Sequence, residues 1–258
     1  MSLLRQGRKN SGIVDNICSG LPWDSGFFKL RIARFSPTYL TPDSLNAALD
    51  WCRSNEIDCL YFLAASDHPE TVRLAETAGF QFVDIRVTLV RETGSQGSGD
   101  ITNRNVRPFQ ESDLQALQEI AAYSHEDSRF FYDAAFPRER CRALFETWIE
   151  RSCHGWAQAV FVAEVDGVPS GYCTCHIEGN AGTIGLVALG PHAQGRGLGR
   201  HLVEAALSYF RQHKVPEVTV VTQGRNCKAQ RLYQRCGFVT QSAMLWYHKW
   251  LRHELSDR

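Results

Sequence analysis

The stretch LVALGPHAQGRGLGR, Leu186 to Arg200, decides how this chain is read. It opens as a short apolar strand, passes Pro191, and carries glycines at 195, 197 and 199 before GLGRHLVEAALSYFRQHK, whose apolar spacing is that of a long amphipathic helix. Glycine has no Cβ, so a glycine-rich turn brings several backbone N–H groups against one ligand. The start of the helix adds about half a positive charge. Such a turn is suited to a phosphate or diphosphate, with Arg196 and Arg200 close enough in sequence to assist. The glycine spacing is not the G-x-G-x-x-G of dinucleotide sites, and no GK[ST] of a nucleotide-triphosphate loop is present.

Working outward, the next segments read as strand EVTVVTQ, helix NCKAQRLYQRCG and closing strand FVTQSAMLWYHKW. Upstream, AQAVFVAEVDGVPSGYCTCHIEGNAGTIGLVAL (157 to 189) predicts three strands joined by a DG turn and a GNAG turn. VRPFQESDLQALQEIAAYS supplies a short strand and a helix with Glu111, Ser112 and Asp113 at its start, where acceptors satisfy free N–H groups. RERCRALFETWIERSC is a second helix with Leu144, Trp148 and Ile149 on one face.

The first part of the chain predicts strand, helix, strand, helix, strand. FKLRIARF (28 to 35), CLYFLAA and FQFVDIRVTLVR, the last as one long strand or a pair, alternate with the helices TPDSLNAALDWCRSNE and HPETVRLAETAG. The cluster Trp23, Asp24, Phe27, Phe28 reads as a turn with aromatic anchors. Between the halves lies RETGSQGSGDITNRN, where Gly, Ser, Thr and Asn displace apolar residues. The expected organisation is a flexible N-terminus over 1–13, a first domain over 14–92, a linker over 93–104 and a second domain over 105–258.

The halves share an ending. RLAETAGF from Arg73 and RLYQRCGF from Arg231 agree at four of eight positions, and an offset of 158 residues overlays the flanking strand, loop and helix patterns as well. That context favours an internal duplication.

Composition narrows the function classes. The chain has 258 residues, 43% of them apolar, with 28 Lys plus Arg against 28 Asp plus Glu, so it can build a sizeable core and has no global field drawing it to nucleic acid or an anionic membrane. Nine scattered cysteines without a CxxC pair read as reduced buried thiols rather than a disulfide framework or zinc site. No metal is expected. The N-terminal MSLLRQGRKNSG lacks the apolar stretch of a signal peptide, so a soluble cytoplasmic protein is expected. The sequence leaves a homodimer open.

Gln194, Gly197 and Gly199, after the preceding strand, fit Q-x-x-G-x-G, and Asn226, Ala229, Tyr233, Gly237 and Phe238 fit N-x-x-A-x-x-x-Y-x-x-x-G-F. With both motifs the chain resembles the GCN5-related N-acetyltransferase (GNAT) family over residues 106 to 250. The resemblance implies an α/β (α+β) fold with a mixed, mostly antiparallel central sheet flanked by helices, and a degenerate or truncated copy of it as the N-terminal lobe. It implies acetyl-CoA as acetyl donor. Its pantetheine amides would pair with the strand edge Val187, Ala188, Leu189, its pyrophosphate would lie on Gln194, Gly195, Arg196, Gly197, Leu198, Gly199 and Arg200, and Asn226 would contact the cofactor arm. Asn226 equally suits a plain helix cap.

In that family the acceptor amine attacks the thioester directly, so no enzyme nucleophile is needed, but a base for the amine and an acid for the thiolate are. Tyr233 matches the family's general acid. A phenol near pKa 10 gives its proton to a thiolate near 8.5 uphill by about 1.5 units, or about 2 kcal/mol, small beside a catalytic barrier. Packing against the cofactor or core is the competing reading of Tyr233. For the base, His176 and Glu178, at i and i+2, point to one face of a strand; surface roles compete with that reading. His192 reads as an exposed loop residue.

For the acceptor, HEDSRFFYDAAFPRERCRALFETWIERS (125 to 152) combines Arg129 with Phe130, Phe131 and Tyr132, a mixture suited to phosphate and ring recognition. SRF with the following helix, and LPWDSGFFKLRIARF, resemble the dTDP-4-amino-4,6-dideoxygalactose (TDP-fucosamine) N-acetyltransferases, which acetylate a nucleotide-linked amino sugar. The resemblance implies such an acceptor, with Arg129 on its diphosphate and Phe130 stacked on its base. Another small amine, a protein N-terminus, or a non-catalytic acyl-CoA-binding role are the competing expectations.

Overall fold

The computed structural model describes residues 17–94 and 105–251. The expectations for the N-terminus over 1–13 and for the linker beyond Gly94 lie outside the described residues. In chain order the first elements are β1 (Cys18–Gly20), α1 (Pro22–Phe28), β2 (Ile32–Phe35), α2 (Pro42–Ser54), β3 (Cys59–Ala65), α3 (Pro69–Thr77) and β4 (Gln81–Glu92). They are followed by β5 (Val106–Pro108), α4 (Leu114–Ser124), α5 (Arg129–Tyr132), α6 (Arg138–Arg151), β6 (Ala159–Val165), β7 (Val168–Glu178), β8 (Ala181–Leu189), α7 (Leu198–Gln212), β9 (Glu217–Gln223), α8 (Cys227–Arg235) and β10 (Val239–Trp250).

Two compact units form among the described residues, one up to Val83 and from Met244, the other between Asp84 and Ala243. The division falls inside two long strands instead of at the composition break over 93–104. The reason is in the pairing: Met244–Trp250 of β10 pair with β3, and Arg86–Glu92 of β4 pair with β9. Each half of the chain sends the end of its last strand into the other unit, so 14–92 and 105–258 are contiguous in sequence but not as packed bodies.

In the first unit β2 pairs with β3 in parallel and with β1 antiparallel. All seven positions of β3 are buried, which is why CLYFLAA is apolar without alternation. α2 starts on a capping box between Thr41 and Ser44 and buries Leu45, Ala48 and Cys52. PWDSGFF forms a helix where the sequence suggested a turn, with Trp23 stacked on Phe27 one turn later at 5.3 Å. Because α1 runs through Phe28 and Lys29 then takes φ 58°, the strand expected from residue 28 begins only at Ile32.

In the second unit the sheet order is β4-β9-β8-β7-β6-β5. Only β8 and β9 run parallel; the other neighbours are antiparallel. The mixed, mostly antiparallel sheet flanked by helices is the expected fold class. Cys173, Cys175, Ile184 and Val220 meet Leu202, Val203, Ala206 and Phe210 of α7 in one core. On the opposite face of β7, Tyr172 donates or accepts a 2.9 Å hydrogen bond with His125 at the end of α4, and α4 packs on α6. Arg107 of β5 is clamped by Asp113 and Glu164, which fixes the edge of the sheet to the start of α4. None of the nine cysteines is in a disulfide, and seven are buried. Among the described residues no helix is long and apolar enough to cross a membrane, and no group of three His, Cys, Asp or Glu side chains is set to hold a metal ion.

Candidate active site

The site begins where two strands part. β8 and β9 pair from Ala181↔Glu217 to Ile184↔Val220. Beyond that point no further pair joins them among the described residues, although β8 runs to Leu189 and β9 to Gln223. On its other side β8 stays on β7 as far as Leu189↔Gly171, with an irregularity opposite Thr174, whose Oγ1 accepts from Leu186 N at 2.8 Å. Val187, Ala188 and Leu189 therefore offer an unpaired backbone edge toward β9, where an extended ligand carrying amides can add as a strand. Gly185 stands at the parting point. A Cβ there would lie 2.6 Å from His176 Nε2 and 2.7 Å from Thr174 Oγ1, so no larger residue fits.

The glycine loop continues from this edge. Gly195 and Gly197 take φ 76° and 78°, the left-handed region that disfavours other residues, and nothing lies within 4 Å of where their Cβ atoms would be. The first N–H groups of an α-helix lack acceptors within the helix, so the start of α7 has donors to offer a ligand. Gln194 Nε2 donates to Leu189 O at 3.4 Å, tying the loop back to β8. At Gly199 a Cβ would meet Leu232 Cδ2 at 3.3 Å and Leu189 Cδ1 at 3.6 Å. The first turn of α7 thus rests directly on the end of β8 and on α8. Arg196 is exposed. Arg200 Nε is held by Glu204 at 2.6 Å one turn on, so its charge is shared before any ligand arrives.

α8 carries the other half of the motif. Asn226 caps it, its side chain accepting from Ala229 N at 3.0 Å. Tyr233 is 5% exposed and shares the core of Leu198 and Cys173, with its ring 5.9 Å from that of Phe238. Burial pushes its phenol well above the usual value, with Cys173 and Cys236 adding to the rise. The group is fully protonated at any working pH.

His176 and Glu178 share one face of β7 with Thr174, the face opposite Cys173 and Cys175. They pair with Thr183 and Ala181, alongside the part of β8 still joined to β9. His176 Nε2 lies 3.3 Å from Thr174 Oγ1 and its ring stands edge-on to Trp156 at 5.4 Å. Burial lowers its pKa against an opposing contact from the Trp156 backbone, which keeps the ring neutral. Glu178 is exposed at the hairpin end. His192 is exposed and anchors its loop through Ser170 Oγ at 2.9 Å.

The segment after α4 differs from expectation in one respect. Phe130 is 5% exposed, with Phe136 at 5.4 Å and Trp148 at 6.5 Å, so its ring belongs to the core of α5 and α6 and is not open to a ligand's base. Arg129 lies over that ring at 4.2 Å. The open aromatic is Tyr132, 56% exposed, with the Arg225 guanidinium 3.9 Å from its ring centre. Arg225 Nη2 is 3.7 Å from Asp84 of β4, a carboxylate only 4% exposed that also accepts from Ile85 N at 2.8 Å. Burial raises Asp84 to about 6, opposed chiefly by Arg225. Tyr132 belongs to the run of rings expected at the acceptor, whereas Asp84 and Arg225 were not singled out from sequence. The signal for Asp84 is a lone acid inside the apolar run FVDIRVTLV; Arg225 carries none.

Comparison with known proteins fits this geometry. Residues 118–238 match the family model of the acetyltransferase (GNAT) family. The chain carries a GNAT acetyltransferase domain. It is 29% identical over 143 residues to the spore coat polysaccharide biosynthesis protein SpsD of Bacillus subtilis, covering 55% of this chain but 50% of that protein. It is 27% identical over 237 residues to the dTDP-fucosamine acetyltransferase of Escherichia coli O6:H1, covering 89% of this chain and 96% of that one. In fold it is similar to a GCN5-related N-acetyltransferase from Sphaerobacter thermophilus, with a TM-score of 0.63 at 15% identity over 90% of this chain and 76% of the other. The chain thus spans half the length of one curated relative and nearly all of another.

Proposed function

We propose that this GNAT protein is an N-acetyltransferase that moves the acetyl group of acetyl-CoA to a primary amine by direct attack. In this reading the acceptor is a nucleotide-linked amino sugar of the dTDP-4-amino-4,6-dideoxyhexose type. The observation that carries the activity is the unpaired edge Val187–Leu189 running into the open glycine loop, with the buried Tyr233 packed on the same core. The support for the acceptor is the near full-length similarity to a protein named for dTDP-fucosamine.

Pantetheine amides pair with the β8 edge and the diphosphate meets the N–H groups of Gly195, Gly197 and the first turn of α7. The amine nitrogen bonds to the thioester carbon, the C–S bond breaks, and the departing sulfur takes the proton of Tyr233. Burial of Tyr233 widens the gap between an ordinary phenol and a free thiol. The thiolate, however, forms in the same apolar surroundings and is raised by the same desolvation, so the transfer stays within reach. The proton of the amine passes to His176, kept neutral by burial, or to Glu178, directly or through water.

The test is acetyl-CoA turnover on a panel of dTDP-amino sugars, peptides and polyamines. The expected result is turnover on the nucleotide sugars well above the others. Turnover confined to peptides overturns the acceptor, and tight acetyl-CoA binding with no turnover on any amine overturns the activity.

A further inference from the structure

β9 forms one wall of the opening and ends at Gln223, and the turn that follows presents Arg225 just before Asn226 starts α8. Arg225 joins three separate parts of the second unit. Its guanidinium lies over Tyr132 of α5 at 3.9 Å, near Asp84 of β4 at 3.7 Å, and near the carbonyl of Asp127 at 3.5 Å. The guanidinium is stacked closely on the ring, while its contacts to Asp84 and to the Asp127 carbonyl are at 3.7 and 3.5 Å. A phosphate oxygen makes shorter, charge-assisted bonds to an arginine and takes two of its N–H groups at once. Asp84 is buried and anchored by Ile85 N, so it holds the guanidinium at the end of β9 while leaving it 28% exposed. Tyr132 keeps more than half of its surface open, enough for a second planar group to stack. Arg129, near Asp84, adds a second cation, whereas Phe130 is closed off in the core.

We propose that Arg225 and Tyr132, with Asp84 as the positioning residue for Arg225, form the recognition site for the nucleoside diphosphate part of the acceptor. The base stacks on Tyr132 and the diphosphate meets Arg225. This places acceptor recognition at the mouth of β9, on the turn that leads into the helix of Tyr233. The inference rests on the nucleotide-linked acceptor and refines it by naming residues that its motifs did not.

The experiment uses the full chain with dTDP as probe, followed by calorimetry, alongside turnover on a dTDP-amino sugar. Arg225→Ala is expected to weaken dTDP at least tenfold and Tyr132→Ala several-fold, with acetyl-CoA affinity unchanged in both. Tyr132→Phe keeps the ring and is expected to bind within twofold of the unaltered chain, and Arg225→Lys to recover only part of the loss. Thermal unfolding midpoints matching the unaltered chain show that the variants fold. If the unaltered chain acetylates the dTDP-amino sugar while Arg225→Ala and Tyr132→Ala bind dTDP equally well, this site is overturned and the acceptor stands. If the unaltered chain neither binds dTDP nor acetylates the sugar, the acceptor and this site fall together.

Discussion

Residues 59–92 and 217–250 are two versions of one strand, helix and strand, offset by 158 residues with the same element lengths. Each helix starts on a side-chain cap, His68 accepting from Thr71 N at 3.2 Å and Asn226 from Ala229 N at 3.0 Å. Each ends on a left-handed glycine, Gly79 at φ 77° and Gly237 at φ 81°, with Phe80 N donating to Ala75 O and Phe238 N to Tyr233 O, both at 3.0 Å. β10 pairs with β3 in the register in which β4 pairs with β9. The framework is the same to the level of single hydrogen bonds, and the chemistry is not. Ala75 stands where Tyr233 stands, and Ser242 and Asp67 where Asp84 and Arg225 stand, with no glycine loop before residue 59. A duplicated element keeps its caps and packing because each is needed for the fold, whereas a proton donor or charge pair is retained only where a ligand uses it.

The sharpest way to break this comparison is Tyr233→Phe. It removes one oxygen and leaves the packing, so acetyl-CoA affinity and the unfolding midpoint should hold. A general acid contributes 10² to 10⁴ in rate, so turnover should fall about a thousandfold, or about 4 kcal/mol. Steady-state rates with titrated acetyl-CoA measure this; turnover within twofold of the unaltered chain would leave Tyr233 as packing, no different in kind from Ala75.

Asp84→Asn tests whether the second unit carries a charge it does not need for stability. The folded-state pKa of Asp84, about 6, is above the 3.9 of an unfolded aspartate, so the folded protein holds the proton more tightly. Stability therefore falls as pH rises from about 4 to about 6 and stays lowered above that. The two-unit difference corresponds to about 3 kcal/mol, a net figure that already includes the favourable charge of Arg225. Asn keeps the acceptor for Ile85 N. The variant should melt higher than the unaltered chain at pH 7 and together with it at pH 4; a lower midpoint at pH 7 would make Asp84 a stabilising group.

Much of this was legible because it depends on neighbours in sequence. The glycine loop, the helix of Tyr233, the cap at Asn226 and the repeat are all local patterns. Asp84 and Arg225 are 141 positions apart, and nothing local to either announces the other. RFFY gives three rings in a row, and which is buried depends on Phe136 and Trp148 arriving from α6 and the loop before it. The division of the chain was hidden for a similar reason, since β4 and β10 look like the ends of their own halves until their partners are known. His176 and Glu178 do share a face, as alternation requires, but the register that sets them beside Thr183 and Ala181 comes from the turn at 179–180.

Ala75→Tyr approaches the comparison from the other copy. Ala75 is fully buried among Phe62, Phe80 and Tyr247, and a phenol ring added there overpacks the core. A loss of about 2 kcal/mol is expected, read as a lower denaturant midpoint. In a chain that also carries Tyr233→Phe, acetyl transfer should not return, because a tyrosine at this position has no glycine loop in front of it. Recovery of activity in that double variant would mean that the first copy still holds a site.

The smallest effects should separate structure from binding at the two caps. Removing a cap acceptor costs about 1 kcal/mol, so His68→Ala and Asn226→Ala should lower stability by similar amounts. The two positions have the same geometry toward their own helices and differ only in what lies beyond. If Asn226 is also a contact for the arm of acetyl-CoA, then Asn226→Ala raises the acetyl-CoA KM several-fold while His68→Ala leaves it unchanged. Asn226→Ser separates the contributions, since serine caps about as well as asparagine but is shorter. Stability should then return while the KM does not. Should serine restore both, Asn226 acts toward the helix alone, and the two caps are equivalent in function as they are in form.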